Sequence, residues 1–266
     1  MNNIKLVVSD IDGTLITSEG KVSPAVRREI QRVTDQGIHF AIASGRPTKG
    51  VKEVSDELGL RTPIIGSNGA VVEDVATGEI IHSTQMQHLV LRRLQELVTR
   101  YDVKDVYFDT SEGWRRLLGR SEVVAPGQGF EADRDFEWMR ELDERAVVHK
   151  VVVHGHELEL DKIEREIEKI KGVQVTSSWH GNREIIVAGA DKAAAAKRLA
   201  EHLGVESAHV LALGDNRNDL ELIEWAGVGV AMGNAIPGLK ALADWVTSTN
   251  DEDGVALALD RYIPRL

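Results

Sequence analysis

The 266-residue chain contains no cysteine, which excludes disulfides, thiolate nucleophiles and cysteine-held zinc or iron. Long apolar runs are absent as well. Before Asp10 only Ile4 to Val8 is dominated by apolar residues, too few for a signal-peptide core. No stretch approaches the ~20 residues that a membrane-spanning helix needs. Cytoplasmic residence is the expectation. Basic charge is in deficit: 32 Lys and Arg against 43 Asp and Glu leave a formal net charge of −11. Nucleic acids are bound through net basic surfaces, so a nucleic-acid partner is not expected. A phosphorylated substrate would have to be met by a local cluster of cations and metal, against the sign of the whole molecule. With 42% hydrophobic and 28% charged residues the chain is globular and can bury one large core or two ordinary ones.

Strand and helix patterns alternate at both ends. Ile4 to Val8 reads as a buried strand, and Ser23-Pro24 opens a helix with Val26, Ile30 and Val33 on one face, closed by Gly37. Ile38 to Ala43 is the next strand and runs into Ser44-Gly45-Arg46-Pro47; Val51, Val54 and Leu58 then give a second helical stripe. Pro63 to Ile65 is a third strand, followed by an Asn68-Gly69 turn and a hairpin through Val71-Val72 and Ile80-Ile81. The pattern resumes with a helix over Asp191 to Leu203, strands at Val210 to Leu213 and Val228 to Met232, and helices at Leu220 to Ala226 and Gly254 to Tyr262. Regular alternation of this kind predicts βαβ units and a parallel sheet. Between the two ends the order is less regular. A helix carries Val90, Leu94, Leu97 and Val98, strands fall at Val106 to Phe108 and Val147 to His154, and a charged helix carries Ile163, Ile167 and Ile170. Val173 to Thr176 and Glu184 to Val187 read as further strands. The expected architecture is α/β, a Rossmann-like parallel sheet core over residues 1–82 and 189–266 with an inserted α+β cap domain over residues 83–188.

Two acidic clusters follow strand signals: Asp10-Ile11-Asp12-Gly13-Thr14 and Gly214-Asp215-Asn216-Arg217-Asn218-Asp219. A calcium loop also begins Asp-x-Asp but needs glycine at its sixth position, where these clusters have Leu15 and Leu220. In an open parallel sheet, ligands bind beyond the carboxyl ends of the strands. Asp10, Ser44 and Asp215 each lie just past a predicted strand and Lys192 begins a helix, so the four have a physical reason to share one site. A carboxylate nucleophile, a second carboxylate two residues on, a hydroxyl and a lysine suit phosphoryl transfer to an aspartate. Asp10 would attack phosphorus, and Asp12 would protonate the departing alcohol and then deprotonate the attacking water. Nearness to Asp10 and Asp215 would favour the protonated Asp12 that the first step needs. A magnesium ion on Asp10 and Asp215 would offset the repulsion between nucleophile and phosphate.

This constellation resembles the haloacid dehalogenase-like hydrolase superfamily, and within it the Cof-type phosphatases with a type IIB cap. Asp10-Ile11-Asp12-Gly13-Thr14-Leu15 is similar to the first motif, Ser44-Gly45-Arg46 to the second, Lys192 to the third and Gly214 to Asp219 to the fourth. Val230 to Ala235 and Asp251 to Val255 resemble that family's C-terminal phrases. The resemblance implies a metal bound by the Asp10 and Asp215 carboxylates and the Asp12 backbone carbonyl. It also implies a phosphoryl group held by Ser44, Gly45, Lys192 and Asn218, with Asp219 behind the metal ligands. Ala193 departs from the glycine that many relatives carry after the lysine.

Alone, Ser44 would read as a helix cap, Lys192 as a solvated charge, and His149, His154 and His156 as surface residues rather than a metal site. Arg46 suits a phosphate contact or a structural pairing. In the insertion, Trp179, His180, Arg183 and Glu184 are the candidates for substrate selectivity, because they cluster just before the chain returns to the core. The resulting expectation is a magnesium-dependent phosphatase for a small phosphorylated metabolite, a sugar phosphate first. The alternatives are a phosphomutase on the same core and a phospho-receiver or ligand-sensing module without turnover; Asp12, poised to activate water, argues against the last. Oligomeric state leaves no trace in the sequence.

Overall fold

The structure, a computed structural model, describes residues 3–111, 113–117, 137–139 and 146–265. Strand β1 (Leu6–Ser9), helix α1 (Pro24–Asp35), β2 (His39–Ile42) and α2 (Thr48–Glu57) lead into β3 (Ile64–Gly66), β4 (Val71–Glu73) and β5 (Ile80–Ser83). Next come α3 (His88–Val98), β6 (Val103–Thr110), β7 (Gly113–Leu117), β8 (Glu137–Met139), β9 (Val148–Gly155), α4 (Glu157–Ile167), β10 (Val173–Thr176) and β11 (Asn182–Val187). The chain finishes with α5 (Lys192–Leu203), β12 (Val210–Gly214), α6 (Leu220–Trp225), β13 (Val228–Ala231), α7 (Pro237–Leu242), β14 (Trp245–Val246) and α8 (Gly254–Tyr262). Two compact units result, Met1–Ser83 with Ala190–Leu266, and Thr84–Gly189. Among the described residues no helix is long and apolar enough to cross a membrane.

The first unit is built on a parallel sheet in the order β14-β13-β12-β1-β2. Its central strands, Leu-Val-Val-Ser in β1 and Val-Leu-Ala-Leu-Gly in β12, are buried along their whole length. Continuous burial rather than alternation is what a parallel strand covered on both faces requires. Leu6 aligns with Val210 on one side and His39 on the other, so β1, β12 and β2 end at the same edge. Asp10, Asp215 and Ser44 follow those ends. The helices are fixed by local chemistry. Ser23 caps α1 by accepting from the Val26 N–H, Pro24 occupies the first turn, and Val26, Ile30 and Val33 are buried. Asp191 caps α5 by accepting from the Ala194 N–H at 2.8 Å, which makes Lys192 the first helical residue. Beside this sheet, β3, β4 and β5 form a small antiparallel one.

The second unit has its own core. Six strands in the order β10-β11-β9-β6-β7-β8 pair antiparallel except β7 with β8. Phe108, Val151, Val153 and Ile185 pack with Leu91, Leu94, Leu160 and Ile163 of α3 and α4. Strand alternation puts Tyr107, Asp109, Lys150, Val152 and Glu184 on the opposite face, with Tyr107 beside Val152 and Asp109 beside Lys150. An antiparallel sheet with helices on one face is the α+β arrangement expected for the insertion, and the parallel sheet is the α/β core. Strand β6 is longer than the sequence pattern predicts, and β7, β8, β14 and α7 carry no clear signal. β7 reads Gly-Trp-Arg-Arg-Leu, without polar-apolar alternation, and β14 has only two residues.

Candidate active site

Three side chains from distant parts of the first unit meet in a buried chain of charge. The Lys192 ammonium donates to Asp10 Oδ1 at 2.6 Å and to Asp219 Oδ1 at 2.7 Å, and the lysine side chain has no exposed surface. Asp219 is fully committed: its other oxygen, Oδ2, accepts from the backbone N–H groups of Asp215 and Asn216 at 3.0 and 3.1 Å. Burial alone would push the lysine down, but Asp10 and Asp219 outweigh it and hold the ammonium above its ordinary value.

Carboxylates outnumber the cation, and the excess shows in their proton affinity. Burial pushes the Asp10 carboxyl well above the usual range; Lys192 opposes that rise, while Asp219, Asp215 and Asp12 add to it. Asp215 is pushed up to about 7, first by burial and then by Asp219, with Lys192 and the Thr14 hydroxyl acting the other way. Asp10, Asp215 and Asp219 each bring an oxygen within 4.8 Å of the others. An all-oxygen donor set with surplus negative charge fits a hard divalent cation. Because Asp219 is already engaged by Lys192 and two N–H groups, Asp10 and Asp215 are the carboxylates best placed to hold it.

The crowding at Asp215 has a testable consequence. Its ordinary value is 3.8 and its folded value about 7, so between these the unfolded chain has released a proton that the folded chain keeps. Raising the pH through this window therefore favours unfolding. In chelator, Asp215→Asn should gain stability relative to wild type as pH rises from 5 to 8, by roughly 5 °C or more in Tm. A constant difference would remove the electrostatic account.

Gly13 lets the first acidic loop approach Asp215. Its φ is +80°, and a Cβ there would sit 2.5 Å from Asp215 Oδ2. Thr14 Oγ1 donates to Asp215 Oδ1 at 3.3 Å. Asp12 faces elsewhere. Arg46 grips it in a two-pronged pair, Nε to Oδ2 at 2.8 Å and Nη2 to Oδ1 at 2.6 Å, which resolves the role of Arg46 as a pairing. This hydrogen bond is the main reason the guanidinium is held above its ordinary value. The partner of Asp12 is thus a cation rather than the neighbouring carboxylates to which the sequence pointed.

The remaining phosphate-side candidates converge on a segment that the sequence presented only as a turn. Ser44 is buried, and its Oγ accepts from the Arg46 N–H at 3.1 Å. The Asn68 N–H bonds to Ser44 O at 3.0 Å and the Ser67 N–H to Arg46 O at 2.8 Å, with Gly45 between these anchors. Asn218 Nδ2 donates to Asn68 Oδ1 at 3.0 Å. Ser67 and Asn68 have φ of 53° and 57°, followed by Gly69 at 100°. Left-handed non-glycine residues cost about 1–3 kcal/mol each and persist only where the surroundings fix them. Here the surroundings are tight: a Cβ on Gly69 would lie 2.2 Å from Asp191 O, at the start of the helix that carries Lys192.

The haloacid dehalogenase-like hydrolase family signature matches residues 7–259, which takes in every one of these side chains. The chain belongs to the haloacid dehalogenase-like hydrolases. Among curated relatives, 5-amino-6-(5-phospho-D-ribitylamino)uracil phosphatase YcsE of Bacillus subtilis is 29% identical, covering 98% of this chain and 96% of its own length. A haloacid dehalogenase-like hydrolase from Bacteroides thetaiotaomicron is 31% identical with a TM-score of 0.82, over 97% of this chain and 99% of that one. A subclass IIB sugar phosphatase of the superfamily shares the fold at 22% identity, with a TM-score of 0.79 over 97% of this chain and 98% of that one. The family resemblance carried by the sequence motifs is therefore correct.

In this hydrolase the four insertion candidates do not act as one cluster. Arg183 pairs with Val153 across the strands, on the face packed against α4, and its guanidinium is taken by Glu157, Asp161 and Glu164 of that helix. These ion pairs tie β11 to α4. His180 is almost wholly exposed, 3.3 Å from Glu157. Trp179 packs edge-on against His154, with centroids 5.1 Å apart. Glu184 lies on the opposite face, buried, accepting from Lys150 at 2.9 Å and from Asn182 Nδ2 at 3.0 Å.

Proposed function

We propose that the chain is a cytoplasmic, magnesium-dependent phosphatase that hydrolyses a small phosphorylated metabolite through an aspartyl-phosphate on Asp10. The observation that carries this reading is the Asp10 carboxylate at the end of β1, held by Lys192 at 2.6 Å and crowded by Asp215 and Asp219. Lys192 orients Asp10 and offsets charge on the phosphoryl group as the bond to the leaving oxygen breaks. Ser44, Gly45 and Asn218 hold the phosphoryl oxygens. Asp12, once released from Arg46 and protonated from solvent, gives that proton to the departing alcohol and then takes one from the water that attacks phosphorus and frees Asp10. Magnesium on Asp10, Asp215 and the Asp12 carbonyl would supply charge compensation between the anionic nucleophile and the phosphate. Asp219 supports the site by fixing Lys192 and the Asp215 backbone.

A sugar phosphate is the first substrate class. The name of the YcsE relative adds phosphorylated ribityl compounds to it. Groups that recognise only phosphate and metal cannot distinguish one alcohol from another, so selectivity needs other contacts. We assign these to the second unit, residues 84–189, with Trp179, His180, Arg183 and Glu184 as the candidates, Arg183 being the one already paired with α4.

The test is phosphate release from sugar phosphates, phosphoribityl compounds, nucleotides, flavin mononucleotide and an aryl phosphate. Release should stop in excess chelator and return with magnesium, while calcium substitutes poorly because its looser coordination misaligns the attack. Full turnover in chelator would refute the metal-dependent mechanism.

A further inference from the structure

Asn68 and Asn218 are 150 residues apart in sequence, yet both are buried and their side chains are joined by the 3.0 Å bond from Nδ2 to Oδ1. Asn218 sits on the short turn Arg217–Asp219. Its amide nitrogen carries two N–H groups. Accepting one of them sets the orientation of the amide and hence the direction of the other, the donor that a phosphoryl oxygen can use. Through its own backbone N–H, bonded to Ser44 O, Asn68 also sets the distance between the Ser44 loop and Asn218. We propose that Asn68 is a positioning residue for phosphoryl recognition, acting through the Asn218 amide. This rests on the reading of Asn218 as a phosphoryl contact.

The left-handed backbone at Asn68 makes the proposal separable from a structural role. With φ at 57°, glycine is the residue that fits this position with least strain. Asn68→Gly should therefore keep the backbone conformation and fold, while it loses the acceptor for Asn218. A purely structural asparagine would leave turnover unchanged in that variant.

The experiment is a double-mutant cycle on Asn68→Gly and Asn218→Ala, read as kcat and KM for an aryl phosphate and as competitive inhibition by inorganic phosphate. In the wild-type background, Asn68→Gly should weaken phosphate inhibition and kcat/KM about tenfold, the scale of one hydrogen bond to an ionised partner. In the Asn218→Ala background the same change should cost less than about twofold, because the group it acts through is gone. Asn68→Asp keeps an acceptor oxygen, so in the Asn68→Asp background Asn218→Ala should recover its full cost whatever the added charge does to absolute affinity. Equal losses from Asn68→Gly in both backgrounds, or no loss in either, would overturn the proposal. So would a lowered Tm in Asn68→Gly with no change in phosphate inhibition. Asp10→Asn is run alongside: an active Asp10→Asn would remove the phosphatase reading itself, whereas an inactive one with an additive cycle removes only the role of Asn68.

Discussion

Asp10→Asn should lower phosphate release ten-thousand-fold or more, on the order of what loss of a catalytic nucleophile costs, while the folded protein becomes no less stable. The two effects have one cause. The amide is nearly isosteric with the carboxylate and still offers an oxygen to Lys192, which lies 2.6 Å from Asp10 Oδ1, but its oxygen is too weak a nucleophile to attack phosphorus. Meanwhile the substitution removes a carboxyl that burial, Asp219, Asp215 and Asp12 push well above the usual range. In chelator at neutral pH the variant should therefore match or exceed the wild-type Tm. Phosphate release under single-turnover conditions and thermal melts on the same preparations check both halves. Activity above about 1% of wild type would assign the nucleophile elsewhere.

The parallel core was legible because its chemistry is local. β1 and β12 are uninterrupted apolar runs, Ser23-Pro24 and Asp191 are capping signals, and acidic residues directly after strands point to the ligand edge of a parallel sheet. Partnership across the chain was not legible. Nothing in the spacing shows that Arg46 closes on Asp12 or that Lys192 bridges Asp10 and Asp219, because such pairs depend on which loops face each other. Asn68-Gly69 reads as an ordinary turn, and its contact with Asn218 exists only once the turns that follow β3 and β12 come together. Arg183 shows the same limit in the second unit: a one-residue step along β11 separates it from Glu184 and sends it to the helical face of the sheet.

Lys192→Met should damage both the fold and the reaction, and the two can be separated. The lysine side chain is fully buried between two carboxylates, so methionine fills the volume but leaves Asp10 and Asp219 without their cation. Breaking a buried pair from one side costs roughly 3–5 kcal/mol, and losing a preorganised cation at the transition state should lower kcat about 10²–10³-fold. Asp10 already sits well above the usual carboxylate range and Lys192 is the group that opposes that rise, so without it Asp10 binds its proton more tightly in the folded chain. A folded value above the unfolded one means that stability falls as pH rises between them, hence the Tm deficit of Lys192→Met in chelator should widen from pH 5 to pH 8. Adding Asp219→Asn removes one of the stranded charges and should recover much of the Tm without recovering kcat. If Lys192→Met melted and turned over like wild type, the lysine would be neither a structural counter-ion nor a part of the site. If Asp219→Asn restored turnover together with stability, the kinetic loss would belong to the fold rather than to charge on the phosphoryl group.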